Sequence, residues 1–246
     1  ESESRGLGDV YKRQVFGSFG WSGEAVDLLE TKLRDGGFSF GFDPIRVKFS
    51  PDRAKVQELE ETGTRFARKL LQAEKRAQRR HAGSMSESRS DPAVLALGRV
   101  VGSLCILTTR KGELSGAMVA SWVSQASFTP PGLTVAVAKD RAVEALLHKG
   151  DRFALNVLAE GRESGPMKQF LQPFKPGADR LSGLELDASP NEQPLLPEGL
   201  AWLEGRVSQR MECGDHWLIY AEVEHGGLLD QEASTAVHHR RSGANY

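Results

Sequence analysis

A Gly-Asp-His turn at residues 214–216, inside MECGDHWLIY (211–220), runs straight into an alternating, aromatic-rich segment. An imidazole at a strand mouth can orient a substrate, move a proton, or do neither. Asp215 beside it can hold the His216 ring or cap the turn. Cys213 stands three residues before His216. No second base accompanies the pair, so a bystander thiol is the plainer reading. A second stretch, SWVSQASFTPPG (121–132), crowds Ser121, Ser124 and Ser127 beside Trp122 and Gln125. Hydroxyls, an amide and backbone N–H groups at a strand end can hold a phosphate and the polar edge of a heterocycle. Pro130-Pro131 stops the ladder, and Lys139, closing the next strand, would supply a cation. The alternative is a polar strand edge with Lys139 as surface charge. Asn156 sits among apolar residues in RFALNVLAEG, so its amide needs partners. These are either backbone groups or a ligand.

A third stretch, GSFGWSG (17–23), is a Gly-rich loop with Trp21. Such a loop brings backbone amides and an indole near a planar ligand, or is simply a tight turn with Trp21 packed down. In VHHRR (237–241), His238 and His239 point to opposite faces if extended, so they cannot chelate one metal as neighbours. No H-E-x-x-H, Walker A or complete G-x-G-x-x-G occurs, and no metal site is expected.

The elements that must position these residues follow from periodicity. Val15-Phe16 end an apolar strand. A helix follows, with Ser22 as N-cap, Ala25, Val26, Leu29 and Leu33 on one face, and Gly36-Gly37 as its stop. IRVKF (45–49) alternates as a strand. Ser50 then caps a second helix with Pro51 at its first position. Strand end, loop, helix, strand and helix over 15–72 read as part of a doubly wound α/β domain. From Arg65 to Arg80 there are seven basic residues and one acid, read as the solvated end of that helix. HAGSMSESRSD (81–91) has linker composition, and the linker is placed at 73–91. After Pro92 the texture becomes β. Two strands join at RKGE, and GLTVAVAK is a third. DRAVEALLHKG is a short helix capped by Asp140 and Gly150, burying Ala142, Val143, Leu146 and Leu147. RFALNVLAEG is a fourth strand, followed by a helix around ESGPMKQFL. LAWLEGRVSQRM and HWLIYAEVEHGGLL are two more strands, with Leu203 and Val207 facing away from Glu204 and Arg206. Hairpin-linked strands of this kind suggest a small antiparallel barrel. The fold class is therefore α+β overall.

The bulk numbers bound the function. The chain has 246 residues, is 39% hydrophobic and 26% charged, and carries a net charge of −1. A packed core is expected, and a general nucleic-acid binder, which would show a basic excess, is not. Two cysteines, Cys105 and Cys213, form no C-x-x-C pair, which fits a reducing, cytoplasmic compartment. No apolar run approaches the roughly 20 residues of a membrane span. ESESRGLGDVYKRQ (1–14) does not join the pattern that follows and resembles a translated adaptor, so it is set apart from the fold.

Residues 93–246 resemble the flavin reductase family with its FMN-binding split barrel. The resemblance rests on the order of the Ser-rich strand end, the PPG turn, the capped helix, F-x-L-N-V-L, GDH and a terminal SGANY. More narrowly, VFGSFGWSGEAVDLLETKLRDGG, FDPIRVKF, ECGDHWL and TAVHHRRSG are similar to cyanobacterial-type flavodiiron proteins. Those join a di-iron domain, a flavodoxin-like domain and a flavin reductase domain. The resemblance implies that 15–72 is the last part of the flavodoxin-like domain, with Trp21 on an isoalloxazine-side loop, and that 92–246 is the flavin reductase domain. It implies that Ala117, Ser121, Trp122, Ser124, Gln125 and Ser127 line an FMN site, helped by Lys139 and Asn156. His216 would lie where nicotinamide docks, as a positioning group or a donor to the carboxamide. Homodimers are implied, with NAD(P)H or a photosynthetic protein such as ferredoxin as donor and a location that can be peripheral to photosynthetic membranes. The H-x-E-x-D-H di-iron ligand set and the flavodoxin phosphate loop are absent from this sequence. Oxygen reduction to water is then not expected from this chain itself. The alternatives are a stand-alone flavin reductase that supplies reduced flavin, and a non-enzymatic flavin-holding or dimerisation module.

Overall fold

The computed structural model describes residues 14–82, 91–175 and 177–243, of which 74–82 by their backbone only. The adaptor-like residues 1–13 and part of the linker, 83–90, lie outside the described residues. The chain divides between Ala73 and Glu74 into two compact units.

In the first unit, β1 (Phe16–Phe19) and β2 (Ile45–Lys48) pair in parallel, with Phe16 opposite Ile45. Parallel partners need a crossover, and α1 (Glu24–Asp35) provides it. Val15, Val26, Ile45 and Val47 form the buried apolar centre, while Leu29, assigned to the same helical face, is exposed. Gly23, at φ 69, rather than Ser22 precedes α1. Gly36 and Gly37 end it as expected, donating to Lys32 O and Arg34 O. The next helix, α2, spans Arg53–Ala82. Its cap is Asp52, whose carboxylate accepts from Lys55 N at 2.7 Å, not Ser50. An Asp at this place also complements the helix dipole, which Ser50 two residues earlier cannot. α2 also runs through 73–82, placed above in the linker. Its Ala, Gln, Glu, Lys and Arg residues are good helix formers despite their polarity.

The second unit opens with α3 (Pro92–Leu97), an element the composition did not disclose, capped by Asp91 through Ala93 N at 2.8 Å. A seven-stranded sheet follows, in the order β5-β4-β8-β11-β12-β7-β6. The strands are β4 (Cys105–Lys111), β5 (Leu114–Ala120), β6 (Val123–Phe128), β7 (Pro131–Ala138), β8 (Arg152–Val157), β11 (Ala201–Cys213) and β12 (His216–Leu228), while β9 (Asp187–Ala188) and β10 (Pro194–Leu195) pair with each other outside this sheet. Every neighbouring pair is antiparallel. β5 and β6, read from sequence as one strand, lie at opposite edges although only Ser121 and Trp122 separate them. The sheet must therefore curl so that its edges meet, and the Trp122 carbonyl accepts from Ala136 N at 3.0 Å, which carries the β6–β7 ladder up to that seam.

β4 shows how the curl is stabilised. Cys105 and Leu107 enter one buried cluster with Met118, Val135, Phe153, Leu155 and Ile219. Ile106, between them, enters a second with Ala117, Val119, Leu158 and Phe170. A strand buried on both faces loses alternation and reads as a continuous apolar run. Phe170 comes from α4 (Ser164–Leu171), which covers the second face. Residues 140–150 contain a five-residue 3₁₀ helix, Ala142–Leu146, rather than an α-helix, and no side chain caps it. Val143, Leu146 and Leu147 are nevertheless buried as expected. Register shifts between β11 and β12 fall at Glu204/Gly205, where the extra residue is Glu224 of β12, and at Val207/Gln209, where it is Ser208 of β11. Glu204, expected outward, is fully buried and accepts from Asn191 N at 3.2 Å and Asn191 Nδ2 at 2.5 Å. β11 keeps an unbroken register with β8 from Ala201 to Arg206, so Glu204 stays on the Arg206 face, and its burial comes with the loop that carries Asn191.

Candidate functional site

The start of β12, the end of β7 and the Ser121-Trp122 seam form one rim. Cys213 pairs with His216 across a two-residue turn, and Gly214 holds φ 62 while Asp215 stays at negative φ. Glycine first in the turn is the requirement of a type II′ hairpin. Lys139 N donates to Asp215 O at 3.0 Å, which fixes the turn to the end of β7. His216 lies opposite Ala138.

His216 is 14% exposed, and its Nδ1 lies 2.8 Å from the Asp215 carboxylate. A carboxylate only accepts, so Nδ1 carries the hydrogen and Nε2 carries the lone pair of the neutral ring. Nε2 is buried and has no hydrogen-bond partner among the described residues. The Trp122 indole stacks on this imidazole, centroids 4.8 Å apart and planes inclined by 30°.

Ser121 is buried, and among the described residues its hydroxyl likewise has no hydrogen-bond partner. β3 (Gly102–Ser103) passes so close that a Cβ on Gly102 would stand 1.9 Å from Ser121 O. β3 pairs with β13 (Val237–His238), which sets His238 opposite Gly102. Burial, with Arg240 and His239 nearby, pushes the His238 imidazole below its usual range. Arg240 places its guanidinium 4.9 Å from the Trp122 centroid and donates to Val100 O at 3.1 Å. Sequence reading singled out neither His238 nor Arg240 as rim residues. The only local hint was a basic tail with no helical period.

The remaining assigned residues divide. Ser124 and Gln125 are exposed on β6 and Ser127 is half-buried, with a register shift between Gln125 and Ser127. Ser124 donates to Gln125 O at 3.1 Å. Lys139 pairs with Glu212 and holds that carboxyl below its usual range, while its ammonium lies 5.1 Å from the Trp217 centroid. An incoming phosphate would have to compete with that carboxylate. Ala117 is buried in the cluster under α4, so its side chain does not face the rim. Asn156 is fully buried and spent within the protein. Its Nδ2 donates to Ile106 O and Thr108 Oγ1, both at 3.1 Å, and its Oδ1 accepts from Leu196 N at 2.8 Å. These bonds tie β8, β4 and the 194–196 segment together, and correct the ligand role given to Asn156. Trp21 is 95% exposed on the first unit, so the packed-down alternative fails. Cys213 is exposed, while burial pushes the Cys105 thiol up to about 12.

The rim offers a planar aromatic wall, two buried polar atoms without partners, and cations behind them. Polar groups are not left buried and unpaired without cause. The arrangement suits a planar heterocycle with hydrogen-bonding edges, which is what a flavin or a nicotinamide presents.

Comparison with known proteins agrees on the fold. The chain is 59% identical over 232 residues to putative diflavin flavoprotein A 3 of Synechocystis sp., covering 94% of this chain and 38% of that protein. It is 46% identical over 243 residues to diflavin flavoprotein A 1 of the same organism, covering 98% of this chain and 41% of that protein. It thus spans about two fifths of the curated relatives it matches, consistent with their C-terminal part. This bears out the resemblance to cyanobacterial-type flavodiiron proteins. Among solved structures, the NADH:FAD oxidoreductase of Streptomyces globisporus C-1027 superposes with a TM-score of 0.55 at 21% identity, covering 66% of this chain and 94% of that one. The same oxidoreductase in complex with NAD and FAD fragments gives 0.53 at 19% identity, over 63% of this chain and 91% of that one. The flavin reductase like domain family matches residues 97–245, and the chain belongs to that family.

Proposed function

We propose that the second unit is an FMN-dependent NAD(P)H oxidoreductase module of a larger flavodiiron protein that reduces oxygen to water. The observation that carries this reading is the pair of buried, unpartnered polar atoms, Ser121 Oγ and His216 Nε2, on either side of the Trp122 link. The residues present fit the cofactor. Ser121, Ser124, Gln125 and Ser127 would hold its polar edges and phosphate, with Lys139 as the nearest cation once released from Glu212. Bound FMN would supply the acceptor for two electrons and a proton.

The chain's own residues do the rest. Trp122 and the β7–β12 end exclude water from one side of the site. His216 accepts rather than donates through Nε2, because Asp215 fixes the hydrogen on Nδ1. A carboxamide N–H of the nicotinamide is the complementary donor. His216 therefore orients the nucleotide and is not an obligate base. Orientation of this kind is worth most when the reacting atoms are held near contact distance. Trp21, in the first unit, offers a stacking face to a second flavin of the flavodoxin-like part, and a homodimer would complete the assembly. Relatives supply the frame: the curated ones are named as diflavin flavoproteins, and a structural neighbour was solved with NAD and FAD fragments.

The test is to reconstitute the full chain with FMN and add NADH or NADPH anaerobically. Bleaching of the bound flavin by either nucleotide is expected. A bound flavin that neither nucleotide reduces, but reduced ferredoxin does, would overturn the nicotinamide reading in favour of a protein donor.

A further inference from the structure

The geometry points to Glu212 as a residue that sets flavin selectivity: its carboxylate occupies Lys139, the cation the FMN phosphate must reach, and so lowers the preference for FMN over unphosphorylated flavin. The inference rests on Lys139 as the phosphate cation of the function proposed above.

Lys139 is tied twice to the mouth of the β11–β12 hairpin. Its backbone N donates to Asp215 O at 3.0 Å, and its ammonium donates to the Glu212 carboxylate. Glu212 lies opposite Trp217 in the hairpin, and the same ammonium stands 5.1 Å from the Trp217 centroid. The ammonium is therefore parked over an aromatic face with an anion already on it. Lys139 holds the Glu212 carboxyl below its usual range, so that anion is a carboxylate at neutral pH.

A second cation over the same ring shows why this pair is the one that exchanges. Arg210 lies 4.5 Å from the Trp217 centroid and binds Glu144, with side chains 13% and 22% exposed. Taking the partner from an enclosed charge is costly, because the charge left behind is poorly solvated. Lys139 and Glu212 are 31% and 66% exposed. Their pair is weak, and the released carboxylate turns to water at little cost. Of the two cations at Trp217, Lys139 is the one free to change its anion. An ammonium on a four-carbon stem offers three donors and follows a new acceptor readily. A phosphate monoester brings nearly two negative charges and three acceptor oxygens against the single charge of Glu212. The phosphate wins the exchange, but its gain is reduced by the pair it breaks. A flavin without phosphate breaks no such pair, so Glu212 acts on FMN and not on riboflavin.

The test is a set of titrations of the full chain with FMN and with riboflavin, followed by flavin fluorescence. Glu212→Gln should lower the FMN Kd about two- to fivefold and leave the riboflavin Kd unchanged. Lys139→Gln should raise the FMN Kd about three- to tenfold, again without effect on riboflavin. In the Lys139→Gln background, most of the tightening by Glu212→Gln should vanish, because the ammonium for which the two anions compete is gone. An unmoved FMN Kd in Glu212→Gln, an equal tightening of riboflavin, or an equal tightening in the Lys139→Gln background would overturn the inference. So would a change in the ratio of NADPH to NADH KM with the ratio of FMN to riboflavin Kd unmoved, which would assign Lys139 to the nucleotide. A flavin-loaded wild-type chain that oxidises neither nucleotide would instead remove the catalytic reading, while the titrations still decide the role of Glu212. A chain that takes up no FMN would overturn both.

Discussion

The Trp122 indole and the His216 imidazole lie 4.8 Å apart, although 94 residues separate them in the chain. The seam between β5 and β6 carries one and the mouth of the β11–β12 hairpin carries the other. That contact turns a lone histidine into half of a site. His216→Ala should raise the nicotinamide KM about two- to tenfold, the worth of one hydrogen bond, while FMN stays bound. Steady-state kinetics beside flavin titration decide it, and loss of FMN would refute the docking role.

Gly102 is the second test of the rim. Any side chain there runs into Ser121 O at 1.9 Å, and a backbone carbonyl cannot step aside cheaply. Gly102→Ala should destabilise the protein by about 1–3 kcal/mol, as overpacking does, and weaken FMN retention at the same time. Urea unfolding with and without FMN measures both effects.

Asn156→Ala should separate stability from ligand binding. Three hydrogen bonds disappear inside a dry core, and the Leu196 N–H is left buried without an acceptor. A loss of about 2–3 kcal/mol is expected. The FMN affinity of the molecules that remain folded should match wild type, and a specific loss of FMN affinity would return Asn156 to the binding site.

The Arg152–Glu224 pair predicts a pH dependence. The hydrogen bond from Arg152 holds Glu224 below its ordinary value of 4.5, against an opposing effect of burial. A carboxyl depressed in the folded state contributes stability above its unfolded value, and that contribution is lost as pH falls through the folded value. Thermal melts of wild type from about pH 6 to about pH 3 should therefore show a decline below 4.5 that is shallower in Glu224→Gln. The side chain is 27% exposed, so salt should reduce the difference.

Much of the scaffold was legible because strands and turns write themselves locally. The Gly112 and Gly214 turns, the apolar runs of β4, β7 and β8, and the buried face of the 3₁₀ segment all follow from spacing. Helix caps were misread because Ser22 and Ser50 satisfy the same rule as their neighbours, and only backbone geometry chooses between candidates. Glu204 lies on the Arg206 face as alternation reads it, but its burial was missed because the loop carrying Asn191, which binds its carboxylate, comes from another part of the chain.

The sequence by itself determined which side chains are chemically able to form a site: the serines of 121–127, Trp122 and His216. It also determined the family, since the order of those segments is a one-dimensional property. Tertiary structure alone decided which of them meet. β5 and β6 part to opposite edges at Ser121, and the curl of the sheet brings that link against β12 and the tail. Asn156 looks like Ser121 in composition terms, a polar residue in an apolar setting. One has every neighbour it needs within the barrel and the other has an empty hydroxyl. Satisfaction of a buried polar atom depends on chain segments 40 to 50 residues away, and no local pattern encodes it.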